Sequence, residues 1–223
     1  MLQPNDFVGR APLAGGFQTP YARIMAVPDF MPDGWSAELL RWVASRRHLF
    51  AGGPGVTDYQ SGYHLEDPEE HYPRILELAE AMRPRINEGR EVCELTDLDL
   101  ADVELELWLS CRGEGQAFHW HTDRDVVPGE KPFQSRALAF CYYMHTNPLA
   151  FMGGELEFHD GTTVAPADNL LALFDPDQIH RVRHVHGVPQ GGGPGLEWPE
   201  VKPLRWADHR WNVSGWVHRL SPA

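Results

Sequence analysis

Cysteine is scarce in this chain. Three occur in 223 residues, Cys93, Cys111 and Cys141, and none form a C-x-x-C pair. An odd, widely spaced set argues against a disulfide framework and predicts a reducing compartment. Basic charge is also short: 19 Lys and Arg stand against 32 Asp and Glu, a formal net charge of −13. Such a surface disfavours a nucleic-acid backbone or an anionic membrane, and neither is expected as a partner. No apolar run reaches membrane-spanning length, and the opening segment Met1 to Asp6 lacks a basic stretch followed by an apolar one. A soluble, cytoplasmic protein is therefore expected. What is present is 42% hydrophobic and 11% aromatic content, which allows a sizeable packed core at this length.

One domain is expected over 1–223, with an N-terminal arm (1–23), a helical preface (24–91) and a β core (92–223). The arm is rich in Gly, Pro and Gln. Arg23 to Phe30 reads as a short strand stopped by proline. A helix is expected from Asp33 or Ser36 to Arg47, with Leu39, Leu40, Trp42 and Val43 at helical spacing. Residues 51–55 read as a glycine loop. A second helix should start at Asp67-Pro68-Glu69-Glu70, with Asp67 as cap and Glu70 in the capping-box position. Its apolar face would be Tyr72, Ile75, Leu76, Leu78, Ala79 and Met82, and Pro84 would kink or end it.

From about residue 92 the hydrophobic period falls from 3.6 to 2. Strands are expected at 103–111, 117–121, 136–145, 154–159, 162–165, 169–174, 179–186 and 210–219. Turns such as His159-Asp160-Gly161 separate them and no helical pattern intervenes, so the fold class is mainly β, a barrel or jelly-roll of antiparallel strands with the helices on one outer face. Two long connections, 124–135 and 187–209, interrupt the pattern.

His119-Trp120-His121-Thr122-Asp123 carries the first chemical signal. In extended backbone His121 and Asp123 share a face, with His119 next on it. An imidazole and a carboxylate so placed are two thirds of a 2-His-1-carboxylate triad, which leaves open positions on Fe(II). The second imidazole must come from another strand: His145, His159, His180, His184, His186, His209 and His218 are available. His180 follows the turn Asp175-Pro176-Asp177, where a barrel mouth would lie, and His184 and His186 share its face by period 2. Parity alone does not choose among these three.

The order of landmarks chooses. His121-Thr122-Asp123, Arg136-Ala137-Leu138 before Cys141-Tyr142-Tyr143, Gly153-Gly154-Glu155-Leu156, Pro166, Phe174-Asp175, His180-Arg181-Val182, Arg210 and Trp216 follow one another in this chain. In that order they resemble the Fe(II)- and 2-oxoglutarate-dependent oxygenases, in particular the prolyl-4-hydroxylase-like branch. The resemblance covers roughly residues 100–219 and implies a double-stranded β-helix core. It implies His121, Asp123 and His180 as iron ligands and Arg210 as partner of the distal carboxylate of 2-oxoglutarate, a role suited to a planar guanidinium fork. Ser214 and Tyr143 would add hydroxyls there, Leu156 and Val182 an apolar wall, and Trp216 a closure near the metal. His119 and His184 would stand behind the ligands or face substrate. Cys111 stands where relatives commonly carry a tyrosine.

These readings imply an oxygenase using Fe(II), 2-oxoglutarate and O2 to hydroxylate an unactivated C–H, with succinate and CO2 as coproducts. The expected substrate is a small or amino-acid-derived molecule. The alternatives are a peptidyl-prolyl hydroxylase of the same branch, a cupin-like metalloenzyme that needs the triad but not Arg210 and Ser214, and a non-catalytic module, which would have lost a ligand. Tyr59, Tyr63, Phe133, Trp198 and Trp206 predict an aromatic-lined mouth.

Overall fold

The computed structural model describes residues 23–53, 61–94, 103–124, 136–146, 149–188 and 204–219. The arm at 1–22, and most of the two long connections (125–135 and 189–203), lie outside the described residues, as do Tyr59, Phe133 and Trp198. In chain order the elements are β1 (Ile24–Val27), α1 (Trp35–Ala44), β2 (Ala51–Gly53), β3 (Gly62–Glu66), α2 (Leu76–Val92), β4 (Val103–Arg112), β5 (Phe118–His121), β6 (Arg136–Met144), β7 (Phe151–Gly153), β8 (Leu156–Phe158), β9 (Thr163–Val164), β10 (Leu170–Phe174), β11 (His180–Val182), β12 (Val185–Gly187) and β13 (Arg210–Arg219).

The strands make a large sheet in the order β1-β10-β6-β13-β4-β3-β2, a smaller one in the order β5-β11-β8-β9, and the pair β12-β7. Every pairing is antiparallel. This is the jelly-roll expected from the period-2 pattern. β13 lies at the centre of the large sheet, in register with β4 over its whole length and with β6 from Trp211 to His218.

Alternation sorts the central strands into two cores. One face of the large sheet supplies Leu107, Leu109, Leu138, Phe140, Tyr142, Leu171, Leu173, Trp211 and Val213, which pack on Leu39 and Val43 of α1 and Leu78, Met82 and Ile86 of α2. The opposite face supplies Ala139, Cys141, Tyr143, Ala172 and Phe174, which pack on Leu156, Phe158 and Val164 of the smaller sheet. The site lies in this second interior, which explains why β6 is buried at every residue and reads as a continuous apolar run.

Several local expectations are corrected. The segment 51–55 begins with a strand, β2, which pairs with β3 at the sheet edge. Asp67 takes the left-handed conformation (φ 46°) and makes no side-chain cap; the chain passes through two single 3-10 turns before α2 begins at Leu76. Leu76 is exposed and not part of the apolar face. α2 continues through Pro84 to Val92. Pro84 and Glu80 both face solvent, so water can serve the carbonyl left without a partner by the missing N–H. The single strand expected at 179–186 is two, β11 and β12, in different sheets.

Candidate metal centre

β5 and β11 are neighbours in the smaller sheet, and their register places His180 directly across from His121. Asp123 lies just past the end of β5, where its backbone N–H donates to the Pro176 carbonyl at 2.9 Å and ties it to the turn before β11. Ligand atoms of His121, Asp123 and His180 fall within 4.8 Å of one another. The side chains are 6%, 9% and 5% exposed, with the two Nε2 atoms 3.6 and 3.8 Å from Asp123 Oδ1. His184 and His186, left open by parity, belong to the other side of the strand break and are exposed.

The tautomers follow from the backbone. His121 Nδ1 lies 2.8 Å from the carbonyl of His119, and His180 Nδ1 lies 2.8 Å from that of Gln178. A carbonyl only accepts, so each Nδ1 carries a proton, and in the neutral ring each Nε2 is left to present a lone pair. Asp123 sits below the usual carboxylate range: burial pushes it up, but His180 and His121, with the Trp216 indole, pull it further down. Two imidazoles and one carboxylate, converging at separations a bound ion can bridge, form a donor set that fits Fe(II) once the rings are neutral.

A second layer holds this set. Arg136 Nη1 donates to the Asp123 carbonyl at 3.1 Å, and its Nη2 donates to both oxygens of Glu106 at 3.1 Å. The same guanidinium lies 3.4 Å from the Trp216 ring centroid, and His218 Nε2 lies 2.7 Å from Glu106. Glu106 was legible only as a strand residue and Arg136 only as one landmark of the resemblance; their contacts depend on β4 and β6 both flanking β13.

Arg210, Asn212, Ser214 and Trp216 occupy one face of β13 by alternation. Arg210 is 1% exposed. Its Nε donates to the Gly154 carbonyl at 2.6 Å, Nη1 to Asn212 Oδ1 at 2.6 Å, and Nη2 to the Tyr143 hydroxyl at 3.4 Å. Tyr143 is fully buried, and burial raises its phenol well above the ordinary range. Leu156 and Val182 are register partners and both are buried beside His180. Ser214 is half-buried, in register with Cys141.

The His119 side chain is exposed, and only its backbone carbonyl meets the triad. With His184, Arg181, Phe118, Val182 and Gly153 it lines a cavity of about 390 Å³ at the end of β5 and β11. The aromatic mouth is not what the described residues form. Tyr63 and Trp206 pack with Phe50, Arg47 and Trp211 on the helical side of the large sheet. Cys111 also faces that side, with Sγ 3.5 Å from His209 Nδ1. Arg112 faces the interior instead, together with Asn212, neither of which sequence reasoning singled out, and with His145, one of the available second imidazoles. The alternation of β4 puts Arg112 on the face of Ser110, but only the pairing of β4 with β13 makes that face the interior.

The sequence from residue 107 to 218 matches the family model of the 2OG-Fe(II) oxygenase superfamily. A curated relative, an uncharacterized PKHD-type hydroxylase of Synechocystis sp., is 27% identical over 131 residues, 52% of this chain and 37% of its own length. The chain thus spans little more than a third of that relative. Among solved structures, a prolyl-4-hydroxylase of Pseudomonas putida superposes with a TM-score of 0.58 at 17% identity, covering 90% of this chain and 94% of that one. The viral collagen prolyl hydroxylase of Paramecium bursaria Chlorella virus-1 gives 0.62 at 13% identity, covering 89% and 97%. The matched segment runs from the middle of β4 to the end of β13 and contains the triad, its second layer and Arg210: the chain belongs to the 2OG-Fe(II) oxygenase superfamily.

Proposed function

We propose that this chain is an Fe(II)- and 2-oxoglutarate-dependent dioxygenase that hydroxylates an unactivated C–H bond of a small-molecule or amino-acid-derived substrate. The observation that carries this reading is the convergence of His121, Asp123 and His180, buried, with both imidazole protons committed to backbone carbonyls. Those three residues would hold the iron, which with 2-oxoglutarate supplies oxygen activation coupled to release of succinate and CO2. Arg210 would face the distal carboxylate of 2-oxoglutarate, with Tyr143 and Ser214 as hydroxyl neighbours and Leu156 and Val182 as apolar walls. Trp216, clamped between Arg136 and Trp108, would keep the carboxylate side of the triad dry. His119 and His184 would meet the substrate at the cavity mouth.

The test is anaerobic optical titration of the apoprotein with Fe(II) and then 2-oxoglutarate. A visible charge-transfer band is expected in the parent and should be absent in His180→Ala. Iron binding without a band would favour a metalloenzyme that does not use 2-oxoglutarate, and absence of iron binding would overturn the triad. A screen of small substrates against proline-containing peptides, read by succinate release, separates the two substrate classes.

A further inference from the structure

Arg112, the last residue of β4, lies directly across from Arg210 of β13. Directly opposed residues share a face of the sheet, so both guanidiniums enter the same interior. Arg112 is 5% exposed and its Nε is buried with no hydrogen-bond partner. Its Cζ lies 5.3 Å from the Phe118 ring centroid, and that ring stacks on His121 with centroids 3.8 Å apart. Burial first, and the like charge of Arg210 second, bring the Arg112 pKa down to about 10. Among the described residues, no carboxylate pairs with either arginine.

Two adjacent buried cations without a counter-ion are costly, because each loses its hydration and gains only repulsion. The arrangement makes physical sense if an anion completes it. The donors show which arginine has more to offer. A guanidinium carries five N–H groups. Arg210 has already committed donors to Gly154, Asn212 and Tyr143. Arg112 makes no hydrogen bond among the described residues, so its whole fork is free. Gly62 leaves room for it: a Cβ there would stand 3.1 Å from the Arg112 Cγ.

We propose that Arg112 is the principal receptor for the distal carboxylate of the 2-oxo acid, with Arg210, fixed by its three protein bonds, as the second guanidinium of a two-arginine anion pocket. This assignment rests on the oxygenase reading above. It makes the pocket selective for a 2-oxo acid with a charged far end and places the carboxylate between β4 and β13.

The experiment compares two probes on the anaerobic Fe(II)-loaded protein: 2-oxoglutarate, and 2-oxopentanoate, which has a methyl in place of the distal carboxylate. Arg112→Met should weaken 2-oxoglutarate on the order of 100-fold and leave 2-oxopentanoate within about threefold of the parent. Arg112→Lys, which keeps the charge but not the fork, should fall between. Without ligand, Arg112→Met should melt at or above the parent temperature, because an unpaired buried charge is gone, and should lose most of the shift that 2-oxoglutarate gives the parent. Two results overturn the assignment: unchanged 2-oxoglutarate affinity in Arg112→Met, or equal weakening of both probes. A parent that binds iron but gives no band with 2-oxoglutarate overturns the oxygenase reading itself, a different outcome from either.

Discussion

Each candidate histidine ligand donates its Nδ1–H to a carbonyl two residues earlier in the chain, His121 to His119 and His180 to Gln178. The backbone therefore sets the tautomer, and no dedicated carboxylate is needed behind either ring. Removing one Nε2 donor leaves a two-donor site: His180→Ala is expected to weaken Fe(II) binding by at least about 100-fold, measured by metal titration, with little change in melting temperature of the metal-free protein. Gly154 is a second sensitive position. It has φ of +72°, and a Cβ there would lie 2.8 Å from Arg210 Cδ. Gly154→Ala should displace Arg210, lower affinity for 2-oxoglutarate by about tenfold and cost about 1–2 kcal/mol of stability, both read from ligand-dependent melting. At this scale His121 and Asp123 were legible because they are two residues apart on one strand, where parity is a local property. Arg112 was not. Whether Cys111 or Arg112 enters the interior depends on the register of β4 against β13, a contact between residues far apart in sequence.

β13 carries Arg210, Asn212, Ser214 and Trp216 of the candidate site, and its geometry leaves no slack. Gly215 is its tightest point: an added Cβ would come 2.0 Å from the Glu106 carbonyl and 2.6 Å from Phe140 Cζ. Gly215→Val should destabilise the protein by more than about 3 kcal/mol, or prevent folding, as measured by chemical denaturation. The outer face of α2 is tolerant. Arg74 bridges Glu38 and Glu77 on exposed surface. Arg74→Ala is expected to leave the denaturation midpoint close to that of the parent, because solvent screens the pairs. The strands of the core were readable from period 2 and their turns. Elements that depend on partners were less so. β2 is a glycine-rich edge strand with no alternation to read, and α2 passes Pro84 because the orphaned carbonyl faces water. The break between β11 and β12 comes from each half pairing with a different strand, β8 and β7 respectively.

Over the whole molecule, acidity bears on stability through histidines that fold in the neutral form. Burial, with the nearby Arg47 charge, lowers His209 to about 4, while burial and Arg210 hold His145 well below its ordinary value. Both folded values lie below the unfolded value of about 6.5. As pH falls from about 6.5 towards 4, the unfolded chain takes up protons that the native state refuses, so stability is lost on acidification through that window. At pH 5 the loss is on the order of 1 kcal/mol for the partly exposed His209, and His145 adds to it in the same direction. His145→Phe should flatten this slope in denaturation curves compared between pH 7 and pH 5. A rise in stability of the parent on acidification would contradict the assignment.

The central place of β13 also sets a timetable for synthesis. It is the last described strand to leave the ribosome, yet it fills the gap between β4 and β6, both made long before. A nascent chain of about two hundred residues would already carry His121, Asp123 and His180 but would have an open seam where the large sheet is meant to join. Its exposed strand edges would invite chaperones and proteases during this interval. On this view the candidate metal ligands are translated early, but the interior behind them closes only with the last described strand, so metal uptake at this site belongs after translation of β13 rather than before it.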